Sequence, residues 1–112
     1  MTREGEIAIA VETLPKGGTL VRVSGELDLA TAPEVEKRLS ETDLAEPLVI
    51  DLTECGFLDS TAVRVILSTA TRAGEAGGKV SLVAPDPGVR RALEITGLDA
   101  ILPIHTTLAA AI

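Results

Sequence analysis

Aromatic side chains are almost missing from this chain: Phe57 stands alone, with no tryptophan and no tyrosine in 112 residues. The core must then be aliphatic, built from Val, Ile, Leu and Ala. The lack of rings also argues against binding of single-stranded nucleic acid, whose bases stack on aromatic faces. Basic residues are few as well. Ten Lys and Arg stand against 17 Asp and Glu, a net charge of −7. Gripping a phosphate backbone needs a basic face, so no direct contact with nucleic acid is expected. Cysteine is limited to Cys55 and histidine to His105. One cysteine cannot close an internal disulfide, and a reducing, cytoplasmic setting is the simplest reading. One Cys and one His cannot build a closed zinc site either, and no metal or cofactor is expected. No apolar run approaches the ~18 residues of a membrane span. The Met1–Glu6 start leads into no signal-peptide-like apolar segment. Neither a membrane nor a targeting segment is expected.

What is present reads as one domain over residues 1–112, large enough to bury roughly two thirds of its unfolded surface without staples. Residues 6–14 (EIAIAVETL) and 19–24 (TLVRVS) alternate apolar and polar, joined by Lys16-Gly17-Gly18, and predict a β-hairpin. Gly25-Glu26-Leu27-Asp28 then leads out of the sheet. A helix is predicted from Thr31 as N-cap, with Pro33 in its first turn, Glu34 as capping-box partner, and Val35 and Leu39 at helical spacing. It fades near Asp43. Residues 48–52 (LVIDL) form a short apolar run, the pattern of a strand buried on both faces. A second helix opens at Asp59-Ser60-Thr61, carries Val63, Ile66, Leu67 and Ala70, and is ended by Gly74 to Gly78. Residues 79–84 form another strand. Pro85-Asp86-Pro87 turns into a third helix closed by Gly97. Ile101–Ile104 reads as a short edge strand and residues 106–112 as a last short helix. The order β-β-α-β-α-β-α-(β)-α predicts an α/β domain with helices packed on a mixed sheet of four to five strands.

Chemistry has little support. Cys55 and His105 could be imagined as nucleophile and base, but nothing places them together, and a lone Cys beside a strand reads as a small buried hydrophobe. No enzyme is expected. Gly17-Gly18 and Gly77-Gly78 lack the spacing of a phosphate-binding loop and read as turns. The feature that stands out is Gly56-Phe57-Leu58-Asp59-Ser60-Thr61, where an acidic residue and two hydroxyls fall at the change from strand to helix. Asp59 or Ser60 would serve as a helix N-cap. Capping is compatible with regulation, because a hydroxyl at a helix start is exposed. A phosphate there would add about −1.5 to −2 charges beside Asp59. Each such pair within about 4 Å near a surface costs on the order of 1–4 kcal/mol, and the helix dipole returns under ~1 kcal/mol. The local fold would survive, while a partner packed over the helix start would have to bury a dianion.

These residues resemble the STAS domain, the sulphate transporter and anti-sigma-factor antagonist domain. The resemblance rests on the Gly25–Asp28 corner, on Leu48–Thr71 (LVIDLTECGFLDSTAVRVILSTAT) and on Val89–Ile104 (VRRALEITGLDAILPI), in the family's order. It implies a STAS-like fold and a bacterial, cytoplasmic regulator of transcription, an anti-anti-sigma factor. Such a protein binds an anti-sigma factor that is a serine kinase using ATP, and so frees a sigma factor. Phosphorylation at the start of the second helix makes it let go, and a serine phosphatase restores it. Carried over by position, the resemblance implies Ser60 or Thr61 as phosphoacceptor, with a lean towards Ser60. Asp28, Asp59, Ala62 and Arg64 are implied at the partner-binding surface. The family pattern usually continues with Gly after the hydroxyl pair, then Leu-Gly. Here it continues Ala62-Val63-Arg64, which places Cβ atoms and an arginine on the docking surface. Arg64 reads as a solvated helix residue, or as a cation for a phosphate one turn away. The departure keeps open a constitutive STAS interaction module without a phosphoswitch.

Overall fold

The computed structural model describes residues 6–112, so most of the Met1–Glu6 start lies outside the described residues. The two alternating runs form strands β1 (Ile7–Thr13) and β2 (Thr19–Leu27), paired antiparallel. Their turn is closed by the Leu14 N–H donating to the Gly18 carbonyl (2.9 Å) and the Gly17 N–H to the Leu14 carbonyl (3.1 Å). Gly17 and Gly18 sit at φ 96° and 101°, a left-handed region that glycine enters without steric cost.

Helix α1 (Ala32–Ser40) carries the chain from β2 to β3 (Leu48–Asp51), which lies parallel beside the first half of β2. All four residues of β3 are buried, as a strand covered on both faces should be. Asp51 is tolerated there because its Oδ1 accepts the Thr53 N–H (3.0 Å) and hydroxyl (2.5 Å), while Arg22 approaches its Oδ2 at 3.9 Å. Next come β4 (Cys55–Leu58), α2 (Ser60–Ala76), β5 (Val80–Val83), α3 (Pro87–Ile95), a 3-10 turn at Leu98–Ala100, β6 (Ile104–His105) and α4 (Leu108–Ala111).

Among the described residues the sheet has six strands. Its order is β1-β2-β3-β5-β6, parallel from β2 onwards, with β4 pairing the far end of β2. Alternation sends Val21, Val23, Leu48, Ile50 and Leu82 to one face, where they meet Val35 and Leu39 of α1, Ile66 of α2, and Val89 and Leu93 of α3. Leu20, Val49 and Val83 form a smaller cluster with Leu14, against which Leu108 and Ala111 of α4 pack.

Three local expectations are revised. Gly25–Leu27 does not leave the sheet: β2 runs through to Leu27, past the end of β3, and after a register shift at Gly25/Glu26 it pairs with Cys55–Leu58. That pairing creates the strand that raises the expected four or five to six. Thr31 makes no capping bond. Its hydroxyl donates to the Glu26 carbonyl (2.7 Å) and accepts the Asp28 N–H (3.0 Å). Asp28 Oδ1 takes the Thr31 N–H (3.1 Å), the donor that a capping box would have offered to Glu34. Within the expected Gly74–Gly78 stop, α2 runs through Gly74 and ends at Gly77, φ 89°. The last strand is displaced to Ile104–His105, because Leu98–Ile101 curls into the 3-10 turn.

Candidate functional site at the mouth of the second helix

Two strand ends, those of β2 and β4, lie side by side and deliver two short connections to the same edge: Asp28–Thr31 ahead of α1 and Asp59 ahead of α2. The Asp59 N–H donates to the Leu27 carbonyl at 3.1 Å. The Asp59 carboxylate caps α2, Oδ1 accepting the N–H groups of Thr61 (2.9 Å) and Ala62 (3.1 Å). Its Oδ2 reaches across to accept the Leu29 N–H at 3.1 Å. On the other connection, Asp28 Oδ1 accepts the N–H groups of Ala30 (2.9 Å) and Thr31 (3.1 Å). Asp28 thus shapes the loop that Asp59 holds, and both carboxylates stand at one edge.

Ser60, the first residue of α2, is exposed, and Thr61 is half-buried. Neither hydroxyl takes part in a hydrogen bond among the described residues. The capping role falls to Asp59 alone. It already takes the Thr61 and Ala62 N–H groups, so a phosphate on Ser60 would meet the carboxylate rather than those donors. Arg64 is exposed one turn further on and forms no ion pair among the described residues. Ala62 is corrected: it is fully buried and packs into the main core. Its methyl group cannot touch a partner, because the first turn of α2 rolls that side against the sheet.

One surface residue escaped sequence reasoning. Leu29 is 71% exposed; it follows Asp28, and its own N–H is the loop's tie to Asp59. It heads a cleft between α1 and α2 whose other walls include Pro33 and Glu36 on one side and Thr61, Arg64 and Ser68 on the other. An apolar residue beside a turn-forming Asp carries no sequence signal of its own, since single exposed leucines are common. Only its place at the head of the cleft singles it out.

The catalytic pair considered for Cys55 and His105 is not brought together. Cys55 lies on β4, which occupies the β3 side of β2, and His105 lies on β6, beyond β5. Two strand spacings amount to about 9–10 Å. The Cys55 thiol is buried and donates to the Phe57 carbonyl (3.1 Å). Burial pushes its pKa up, against the reactive thiolate. Among the described residues no cluster of three or more His, Cys, Asp or Glu could hold a metal. No helix among them is long and apolar enough to cross a membrane.

A family model for the STAS domain matches residues 8–111. The chain belongs to the STAS-domain family. It is 33% identical over 93 residues to the anti-sigma F factor antagonist of Paenibacillus polymyxa, covering 80% of each chain. It is 32% identical over 94 residues to the anti-sigma-F factor antagonist RsfB of Mycobacterium tuberculosis, covering 82% of this chain and 76% of that one. Among solved structures, an anti-sigma factor antagonist from Mycobacterium paratuberculosis superposes with a TM-score of 0.87 at 33% identity, covering 99% of this chain and 95% of the other. The unphosphorylated form of the anti-sigma factor antagonist SpoIIAA shares the fold at 20% identity and a TM-score of 0.74, covering 92% of each chain. This STAS domain is a binding and regulatory protein, not an enzyme.

Proposed function

We propose that this STAS domain is an anti-sigma-factor antagonist. It binds an anti-sigma factor that is a serine kinase, frees a sigma factor for transcription, and lets go when the kinase phosphorylates it at the start of α2. The antagonist names of its relatives support an anti-sigma factor as the partner. The observation that carries the switch is Ser60: an exposed hydroxyl with no hydrogen-bond partner among the described residues, next to a carboxylate already committed to the first-turn N–H groups. Of the two hydroxyls, Ser60 is the better acceptor, because Thr61 is half-buried against the cleft.

The docking surface in this reading is the edge formed by Asp28, Leu29, Asp59 and Ser60, continued by Arg64 along the α1–α2 cleft. Leu29 gives an apolar anchor among polar groups, the arrangement in which a few central residues carry most of an interface's affinity. A phosphate on Ser60 adds about −1.5 to −2 charges at that edge. A partner would have to desolvate it against Asp59, while the sheet and its core stay untouched. A phosphatase would reverse the change, and the cycle belongs in the cytoplasm, where a kinase meets ATP.

The test is incubation with the cognate anti-sigma kinase and ATP, then mass spectrometry of the peptide spanning residues 59–64 and a binding assay on the product. Phosphate on Ser60 with loss of the complex is expected. No phosphate on that peptide would sink the switch. A Ser60→Asp, Thr61→Asp double variant that binds as tightly as the wild type would instead make the chain a constitutive STAS interaction module. The exposed Arg64 one turn along α2, without an ion pair among the described residues, favours that second reading, since it could neutralise the added charge.

A further inference from the structure

The parallel strands have a second end, opposite the mouth of α2, and it is hollow. The first residues of β3 and β5 (Leu48, Val49, Val80) floor a cavity of about 480 Å³, closed laterally by the β1–β2 turn at Leu14, by Pro103 and by the end of α4 at Ala111. That volume lies within the about 300–1,000 Å³ range of small-molecule sites. Among the described residues, no acidic side chain and no aromatic ring lines it. Two of the chain's few cations do: Lys16 from the turn and Lys79 just ahead of β5, both exposed and without an ion-pair partner among the described residues.

We propose that this cavity binds an amphipathic anion with a flexible aliphatic chain, a medium-chain alkyl carboxylate. The buried Leu and Val floor takes the chain, releasing water from apolar surface on both sides. The two ammonium groups take the head, with their own methylene stems lying along the upper chain. The lack of rings disfavours a nucleotide base or another flat heterocycle, which gains most from stacking. A flexible chain needs only an irregular aliphatic wall. In a chain of net charge −7, the long-range field repels anions. The head must therefore be held by local contact, and the two lysines, without an ion-pair partner among the described residues, supply it.

The probe is sodium decanoate, titrated into the isotopically labelled full chain and followed by amide chemical shifts. Saturable shifts are expected at Val49, Val80 and Ser81, with Ser60–Ala62 unmoved. Decanol serves as the uncharged control, and phosphatidylglycerol vesicles as the membrane alternative. A Lys16→Gln, Lys79→Gln variant, altered only at exposed positions, should bind decanoate roughly tenfold more weakly, with a much smaller loss for decanol, which gives up only the lysine stems. Shifts that fail to saturate or spread over the whole chain would overturn the proposal. So would an unaltered affinity in the double variant, or binding to vesicles without binding to decanoate.

Discussion

The Asp59 carboxylate holds two chain segments 30 residues apart, taking the Leu29 N–H on Oδ2 and the first-turn N–H groups of α2 on Oδ1. One side chain therefore sets the angle at which the two connections present the docking edge. Loss of a cap alone costs about 0.5–2 kcal/mol. Asp59→Ala also strips the Leu29 N–H, so its cost should fall in the upper half of that range, with Asp59→Asn losing less. Urea unfolding with an unchanged slope would measure both. An alanine variant as stable as the wild type would mean the clamp is idle.

Leu29 should separate binding from stability. It is 71% exposed, so Leu29→Ala should stay within about 0.5 kcal/mol of the wild type on unfolding. If it anchors the anti-sigma factor, the same variant should weaken that complex about tenfold, or about 1.4 kcal/mol, by titration calorimetry. Wild-type affinity would move the docking edge elsewhere.

Two glycines should respond in opposite directions. Gly74 lies inside α2, exposed, with open space around an added Cβ. Gly74→Ala should stabilise by about 0.5–1 kcal/mol through helix propensity. Gly78 lies just beyond the helix, and an added Cβ there would strike the Leu44 carbonyl oxygen. Gly78→Ala must push the Asp43–Pro47 connection aside, and overpacking of this kind costs about 1–3 kcal/mol. Thermal unfolding of the pair should show midpoints displaced to either side of the wild type.

Cys55 predicts a pH dependence with a definite sign. Burial raises its pKa above the ordinary 9.0, so the unfolded chain ionises first. The thiol's contribution to stability is then fully present below pH 9.0 and is lost as pH climbs through the raised value in the fold. The chain has no tyrosine to titrate in the same range. Above pH 9 the unfolding midpoint of the wild type should fall more steeply than that of Cys55→Ala. Parallel curves would contradict a buried neutral thiol.

The elements that the sequence declared are those whose pattern is local. The alternation of EIAIAVETL and TLVRVS requires a two-faced hairpin, and glycines at the turn permit its geometry. The run LVIDL requires burial on both faces, and β3 has it. Asp59 ahead of an amphipathic stretch is a helix start in any context. The short strand β4 was illegible because Cys55–Leu58 buries only its two end residues. It neither alternates nor forms an apolar run, and it exists because β2 outlasts β3 and leaves backbone groups to pair. The cap of α1 was misplaced for a similar reason. Thr31 and Glu34 have the right spacing, but Asp28 reaches the Thr31 N–H first.

The amino-acid order by itself determined the alternation of strands and helices, the aliphatic core and the acidic residue poised before two hydroxyls, because each depends on spacing within a few residues. Only the tertiary structure decided what surrounds that hydroxyl pair. It turned Ala62 into the core, left Ser60 in solvent, drew Leu29 to the Asp59 carboxylate, and opened a lysine-flanked hollow at the other end of the sheet. Those outcomes depend on which strand ends lie side by side, and that is fixed by long-range pairing along β2 rather than by any neighbour in the chain.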